Sequence, residues 1–493
     1  MDLVAVRAAE TTSETREAPP GVGRLSRCEL LVVVALTAAS VVANFFDLGS
    51  RSLWLDEIHS ALIAVHHGTS LWSGITADGG NMLVYYGLLP GFVSVLGDGQ
   101  FALRAPSALV GAGLTPVTFF LGRRMFGTRS AVIAASIVAV SPALVVWNQQ
   151  ARGYGFGTLL IALSLLALFR AIESPNRRRW CVYGLLVVCS IYTIAYAAMF
   201  FAAQWLAIAF WPRPLRPTKP MLAVVGVAAL AYVPLTVLML RSGAAGVLRT
   251  NPAPSTSEGI HLLEELTLGV APDFVAVTLI SAIVTVVGLL SWIAASAELV
   301  SRVRSAPGEP ETACLGIALS WLLVPLLCDA VFSLAHSSIF NSSFLLQSVP
   351  AGALVVAFVI GELLPGGLSQ AFAVGFISLL LAALLPTYGV SFEQWAQASR
   401  YIRTASQPGD CLTVNKAELA SNLAYYFSVE GGASEAPRLV LPALTWSDAL
   451  AGTYRDAAPR ESLATVASSC RRLWIVVNRA SPGQFVLINS EVS

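Results

Sequence analysis

The chain has 493 residues, of which 56% are hydrophobic and only 12% are charged, and its net charge is +1. A soluble globular chain carries about 25% charged residues, so this composition excludes an ordinary soluble protein. The near-zero net charge gives no reason to expect a nucleic-acid partner. The sequence therefore predicts an α-helical polytopic membrane protein.

Apolar stretches long enough to cross a bilayer as helices recur along the chain. The short stretch 82–97, which contains Pro90, decides their orientation. If it lies along the outer membrane face without crossing, the clusters of basic residues all fall on the cytoplasmic side, as the positive-inside rule requires. The resulting eleven predicted spans are 30–48, 104–122, 128–147, 154–170, 180–195, 197–212, 221–241, 273–297, 313–334, 344–362 and 370–388.

Three regions follow from this layout. Residues 1–27 are predicted to be a disordered cytoplasmic tail, because they are polar and contain Pro and Gly. Residues 28–388 form the transmembrane module, with a first outer loop at 49–103 that carries interfacial helices. Residues 389–493 mix polar and apolar residues and are long enough for a small α/β domain outside the membrane. Its predicted strands are Cys411–Val414, Arg438–Leu441, Leu473–Asn478 and Gln484–Ile488, and its predicted helices are Phe392–Ala405 and Ala417–Phe427.

Cysteine and arginine usage indicate the compartment and the source. Cys411 and Cys470 both fall in the predicted outer domain, where an exported compartment permits a disulfide. Two unpaired buried thiols are the alternative. Arginine is abundant and lysine is nearly absent, which is typical of a GC-rich bacterial genome, so the predicted location is a bacterial plasma membrane.

Two adjacent carboxylates stand out in the first outer loop. Asp56 and Glu57 follow Trp54 in an otherwise apolar stretch. A carboxylate can take the proton from an attacking hydroxyl, so both are candidate catalytic residues. The alternative is that they are ordinary solvated acids of a polar loop.

Two arginines are predicted at the same membrane face. Arg104 and Arg152, the latter with Tyr154, could bind a phosphate, since the planar guanidinium makes two parallel hydrogen bonds to such a group. Snorkelling of both side chains to the interface is the alternative. His336, in a short outer loop, is a further candidate contact to a phosphate.

Four segments resemble the GT-C superfamily when they are taken in order. They are WLDE at 54–57, DGGNMLVYYGLL at 78–89, FALRAPSALVGAGLTPVTFFLGRRMFG at 101–127 and SPALVVWNQQARGYGF at 141–156. The chain is most similar to the bacterial family 39 type transferases, relatives of the protein O-mannosyltransferases and of the aminoarabinose transferase of lipid A. The resemblance covers about residues 30–390 in layout.

The resemblance implies a sugar transferase that uses a polyprenyl-phosphate donor at the outer membrane face. It implies that Asp56, with Glu57 beside it, is the catalytic or acceptor-binding acid, and that Arg152 and Tyr154 lie near the donor phosphate. Residues expected to line the acceptor or substrate loop are Trp54, His59, Asn81, Tyr85 and Gln150.

The sequence departs from this family at three places. Asn81-Met82-Leu83 stands where many relatives have a His-Pro-Pro-like signature, Gln150 where many have an acid, and Ser343-Phe344 where many have Arg-Tyr. These departures leave the metal requirement and the phosphate contacts open. No cofactor is certain, and a divalent metal on Asp56 and His59 is the candidate site. Solvated histidines in a wet loop are the alternative.

The predicted function is transfer of a sugar, mannose or a pentose, from a polyprenyl phosphate to a glycan, lipid or protein of the cell envelope. A single displacement would invert the configuration of the sugar. A transporter or flippase of lipid-linked sugars would share the many spans. Transport sites, however, tend to lie near the bilayer midplane between repeated halves, and the chain has no evident internal repeat. The third alternative is a non-catalytic assembly subunit.

Overall fold

Apolar helices make up most of the protein, and a short sheet lies near its C-terminus. The structure is a computed structural model. It describes residues 24–64, 69–208, 217–242, 254–269, 275–305, 309–336, 338–416, 419–430, 436–441, 444–450 and 468–477. Residues 1–23 of the predicted cytoplasmic tail and the predicted strand Gln484–Ile488 lie outside the described residues. The end of the predicted tail is ordered instead, because Ser26 caps α1 and Arg27 is its first residue.

The first half of the chain contains the helices that frame the candidate site. They are α1 (Arg27–Phe45), α2 (Leu55–Ala64), α3 (Thr69–Ala77), α4 (Leu83–Leu96), α5 (Gln100–Phe126), α6 (Thr128–Val140), α7 (Pro142–Asn148), α8 (Tyr154–Glu173), α9 (Arg177–Thr193) and α10 (Ala197–Ala207).

The second half adds further apolar helices and the sheet. These elements are α11 (Thr218–Ser242), α12 (Thr256–Leu268), α13 (Val275–Ser305), α14 (Pro310–Ala335), α15 (Ser342–Leu345), α16 (Val349–Phe358), α17 (Gly366–Thr387), α18 (Trp395–Ala405), β1 (Cys411–Val414), α19 (Leu419–Val429), β2 (Arg438–Leu441), α20 (Trp446–Leu450) and β3 (Leu473–Val476). A 3-10 turn (Leu346–Ser348) joins α15 to α16, and a π-helical turn (Val359–Leu363) ends α16.

Eight helical stretches within the described residues are long and apolar enough to cross a membrane, and the bent pair α6–α7 makes a ninth. Two more predicted spans correspond to the shorter helices α9 and α10, of 17 and 11 residues. The predicted interfacial stretch 82–97 corresponds to α4, which is also too short to count among the eight. The elements thus agree with the predicted polytopic helical fold.

Local sequence explains how the helices around the site begin and pack. The bend between α6 and α7 measures 50°. It falls at Ser141, whose side chain caps α7, with Pro142 in the first helical turn where its missing N–H costs nothing. Helices α5 and α6 approach closely at Gly122, which has no Cβ. A Cβ at this position would come within 2.8 Å of the Ala131 backbone.

The first outer loop is more regular than a simple loop. Its apolar stretches form α2, α3 and α4, and the turn before α4 uses three left-handed residues, Gly79, Gly80 and Met82. Glycine adopts this conformation without steric cost, whereas Met82 does so against its preference. The turn brings the start of α4 beneath the loop that joins α7 to α8, where the Met82 sulfur accepts a hydrogen bond from the Gly153 N–H at 3.4 Å.

The C-terminal region forms a parallel three-stranded sheet of order β2-β1-β3. Strands β1 and β2 have the predicted bounds, and β3 covers the first residues of the third predicted strand. Cys411 at the start of β1 forms a disulfide with Cys470, just before β3. Helix α19 packs against both α18 and the outer helix α2, so this region contacts the loop that carries the two carboxylates.

Candidate active site at the start of helix α2

Asp56 and Glu57 lie in the first turn of α2, and the helix sends their side chains in different directions. The Glu57 carboxylate is fully buried, whereas the Asp56 side chain is 35% exposed. Adjacent residues of a helix do not share a face. The two acids that the sequence could not tell apart therefore lie in different environments.

Glu57 is the centre of a buried hydrogen-bond network. Its two carboxylate oxygens accept from Nε and Nη2 of Arg104, both at 2.7 Å. The backbone N–H of Ala151 also donates to this carboxylate at 2.7 Å, and that of Trp54 donates at 3.4 Å. Glu57 thus joins α2 to α5 and to the loop after α7.

Arg104 has no donor left for a ligand. A guanidinium has five N–H donors, and those that do not reach Glu57 donate to the carbonyls of Leu48 at 3.1 Å, Arg51 at 2.9 Å and Ser52 at 3.1 Å. Its side chain is 2% exposed. The geometry therefore favours a structural role for the Glu57–Arg104 pair over the predicted catalytic and phosphate-binding roles.

Arg152 is engaged quite differently. Its Nη1 donates to the Tyr86 hydroxyl at 2.6 Å, and its Nη2 lies 3.6 Å from an oxygen of Asp56. Among the described residues, its buried Nε has no hydrogen-bond partner. The Nε and Nη2 donors form the edge of the guanidinium that binds a carboxylate or phosphate with two parallel bonds. In the part of the chain that the structure describes, the ion pair of that edge is this long contact to Asp56.

The surroundings of Arg152 keep it charged. Burial disfavours the charged guanidinium, but the coulombic effects of Tyr86 and Asp56 outweigh burial and raise the pKa of Arg152 well above its usual value. The ring of Tyr154 adds a cation–π contact, with the guanidinium carbon 5.9 Å from the ring centroid. A permanently charged, largely buried arginine suits an anionic ligand.

Asp78 and Tyr86 also belong to this site, although the sequence analysis did not single them out. The Tyr86 hydroxyl accepts from Arg152 and donates to an Asp78 oxygen at 3.3 Å. Both residues lie within the DGGNMLVYYGLL segment. The predicted Tyr85 is its neighbour on α4, and the choice between the two required knowing where the helix begins.

His59 faces Asp78, with 3.8 Å between its Nε2 and an Asp78 oxygen. Among the described residues, no group of three or more His, Cys, Asp or Glu side chains could hold a metal ion. His66 and His67 lie outside these residues. Within the described part of the chain, the candidate metal pair Asp56 and His59 therefore has no third side chain of these types positioned to share an ion.

Trp54 and Gln150 contact each other beside the site. The indole N–H of Trp54 donates to Gln150 Oε1 at 2.7 Å, and the indole ring stacks on Phe392 with 5.2 Å between centroids. Gln150 is 2% exposed, and its amide nitrogen donates to the Val146 carbonyl at 3.2 Å. The residue that replaces the acid of many relatives therefore holds the Trp54 side chain in place.

The remaining predicted residues take different places. Tyr85 is buried against Phe156, and Asn81 lies half-buried in the turn before α4. His336 is exposed at the end of α14 and stacks on Phe332. Within the described residues, no ion pair or hydrogen bond joins His336 to Arg152 or Asp56, and its phosphate contact stays a prediction.

Comparisons with known proteins agree with this architecture. Residues 82–238 match the family described as dolichyl-phosphate-mannose-protein mannosyltransferase. The crystal structure of ArnT from Cupriavidus metallidurans bound to undecaprenyl phosphate has a TM-score of 0.51 with 14% identity, covering 83% of this chain and 89% of that chain. The chain has the GT-C fold.

The apo oligosaccharyltransferase of Archaeoglobus fulgidus is a second similar structure. It has a TM-score of 0.51 and 13% identity, with coverage of 83% of this chain and 64% of that chain. No curated protein matches the sequence. The GT-C resemblance of the four sequence segments is thus confirmed at the level of fold, and the matched family region contains Tyr86, Arg104 and Arg152.

Proposed function

We propose that this GT-C protein transfers a sugar from a polyprenyl-phosphate donor to a cell-envelope acceptor at the outer membrane face. The observation that carries the proposal is the Asp56–Arg152 pair, in which a partly exposed carboxylate lies beside an arginine with an open binding edge. The similar ArnT structure holds undecaprenyl phosphate, and the matching family is described by its mannose transfer. Mannose or a pentose is therefore the sugar we propose.

Arg152 is the proposed phosphate ligand. Its Nε and Nη2 would donate to two oxygens of the donor phosphate, while Tyr86 holds Nη1 and fixes the plane of the guanidinium. The phosphate would replace the long contact to Asp56, which then turns toward the acceptor. As the bond between the anomeric carbon and the phosphate oxygen breaks, Arg152 stabilises the negative charge that grows on the leaving group.

Asp56 is the proposed general base. Its carboxylate would take the proton from the acceptor hydroxyl while that oxygen attacks the anomeric carbon. The new glycosidic bond forms as the polyprenyl phosphate leaves with its bonding electrons, and the proton on Asp56 is then released to water. Attack from the face opposite the phosphate inverts the configuration of the sugar.

An apolar cavity of about 110 Å³ offers space for part of an isoprenoid tail. It lies among α6, α12, α13, α14, α16 and α17 and is lined by side chains such as Trp292, Leu326 and Phe376. Its polar residues include Ser141, at the bend before α7, and Ser348, just before α16. Such an apolar surface with few polar groups suits a lipid chain.

The charge distribution supports the proposed outer location of the site. Basic residues cluster at the ends of α5, α8 and α13, whereas Arg152 and Asp56 lie at the opposite end of α5 and α8. Under the positive-inside rule the clusters face the cytoplasm. The disulfide between Cys411 and Cys470 fits an exported C-terminal region.

The test uses the purified protein in nanodiscs with a panel of undecaprenyl-phosphate sugars and candidate envelope acceptors. Transfer of one sugar, with the configuration at its anomeric carbon inverted in the product, would support the proposal. Retention of configuration would refute the single displacement. Movement of the lipid-linked sugar across the bilayer without any transfer would instead favour a flippase, and binding without either would favour an assembly subunit.

A further inference from the structure

Helix α2 is only partly capped by its own sequence, because Glu57 accepts the backbone N–H of Trp54 at 3.4 Å but not that of Leu55. The Trp54 carbonyl accepts the first helical hydrogen bond, from Ile58 N–H at 3.0 Å, so Trp54 occupies the cap position. Its indole can donate a hydrogen bond but cannot accept one. The N–H groups of the first turn therefore need an acceptor from elsewhere, and Asp56 lies in that turn.

Glu393 supplies this acceptor from the segment after the last membrane helix. Its Oε2 accepts the backbone N–H of Leu55 at 2.8 Å and the indole N–H of Trp395 at 2.5 Å. Trp395 begins α18 and is 5% exposed. Its buried indole therefore holds the Glu393 carboxylate in place. A negative charge at this position also suits the positive end of the α2 dipole.

Tyr426 makes a second connection from helix α19. Its hydroxyl accepts the backbone N–H of Leu53 at 2.7 Å and the hydroxyl of Ser52 at 3.1 Å. Ser52 in turn accepts the backbone N–H of Ala396 at 3.0 Å. Two separate parts of the C-terminal region thus bind the backbone within four residues of Asp56.

We propose that Glu393 and Tyr426 are positioning residues that hold the start of α2, and hence Asp56, in place beside Arg152. The inference rests on the proposed function and deepens it, because it makes the C-terminal region part of the catalytic machinery. A displacement of about 1 Å at a reacting group lowers a rate by about a hundredfold. Small shifts at this helix end would therefore reach the chemistry.

The predicted effect of Glu393→Gln and of Tyr426→Phe is a fall in kcat of about ten- to a hundredfold. The KM for the polyprenyl-phosphate sugar should stay within about twofold of the wild-type value. The donor phosphate binds Arg152 in the proposed mechanism, whereas the substitutions displace Asp56. A merely structural loss would instead lower the amount of active enzyme and leave the kcat per folded molecule unchanged.

The chain offers matched controls. Tyr425→Phe alters the neighbouring tyrosine, which makes none of the contacts to Ser52 or Leu53. Glu430→Gln removes a carboxylate of the same region that pairs with Arg400 and Arg403, both at 3.3 Å. Both controls should keep the wild-type kcat. An equal fall in the controls would overturn the proposal.

A second measurement does not depend on turnover. Amide hydrogen exchange of the full-length protein in nanodiscs reports the opening of α2 directly. Loss of one helix cap should speed exchange across 53–64 by about tenfold, while α14 and the other membrane helices exchange as in the wild type.

The two measurements separate the possible failures. If Glu393→Gln and Tyr426→Phe exchange faster than the wild type only at 53–64, and the wild type transfers no sugar, the positioning role is supported and the proposed function is refuted. Unchanged exchange at 53–64, or faster exchange spread over the whole bundle, would overturn the positioning role whatever the activity of the wild type.

Discussion

Replacing the carboxylate by an uncharged amide should have opposite effects at Asp56 and Glu57, with activity lost at the first and stability lost at the second. Asp56→Asn removes a partly exposed charge whose nearest partner lies 3.6 Å away. Surface substitutions of this kind change stability by about 0.5 kcal/mol or less. Glu57→Gln leaves the fully buried guanidinium of Arg104 without its counter-ion, and loss of one partner of a buried ion pair costs about 3–5 kcal/mol.

The assay combines thermal unfolding of each purified variant in detergent with the turnover of the same sample. Asp56→Asn should unfold at the wild-type temperature and lose transfer. Glu57→Gln should unfold several degrees lower and keep transfer in the fraction that remains folded. The reasoning would be refuted if Glu57→Gln were as stable as the wild type and inactive, or if Asp56→Asn kept its activity.

Three further predictions concern stability. Cys411→Ser should destabilise the C-terminal region by up to about 4 kcal/mol, since the disulfide joins residues 59 positions apart. Thiol labelling with and without reductant should detect Cys470 only after reduction or after this substitution. Gly122→Ala should cost about 1–3 kcal/mol in thermal unfolding, because its new Cβ would meet backbone at 2.8 Å, whereas Gly113→Ala, whose nearest atom is a side-chain carbon at 3.8 Å, should be nearly neutral. Hydrogen bonds from Arg472 hold the pKa of the Asp410 carboxyl well below its usual range. The contribution of Asp410 to stability is therefore complete above about pH 4 and is lost on further acidification. Asp410→Asn should flatten the loss of stability that unfolding experiments measure below about pH 4.

The sequence predicts the membrane bundle and the C-terminal strands well, because both depend on local patterns. Long apolar runs leave a helix as the only way to satisfy the backbone in lipid. Short β-branched runs bounded by turns likewise predicted β1 and β2 with their observed bounds. These signals need no knowledge of what packs against them.

The different roles of the two acids and of the two arginines could not be predicted from the sequence. Asp56 and Glu57 look alike there, and Arg104 and Arg152 both precede an apolar span. Their roles differ because Arg104 donates to Glu57 and to three carbonyls between α1 and α2, whereas Arg152 donates to the hydroxyl of Tyr86. Such contacts depend on how α2, α4 and α5 pack together.

Glu393 and Tyr426 were beyond sequence reasoning for a related reason. They lie more than 300 residues from the loop that they bind, with sequence separations of 338 and 373 from their partners. The sequence analysis identified neither the start of α2 nor the residue that caps it, because the acceptor comes from the other end of the fold.

The most direct test of the central claim compares Arg152→Ala with Asp56→Asn in two assays, binding of undecaprenyl phosphate and transfer from the active donor. Arg152→Ala should lose both, because it removes the phosphate ligand. Asp56→Asn should bind the lipid phosphate as the wild type does and transfer no sugar. Transfer by Asp56→Asn at the wild-type rate, or unchanged phosphate binding by Arg152→Ala, would contradict the account.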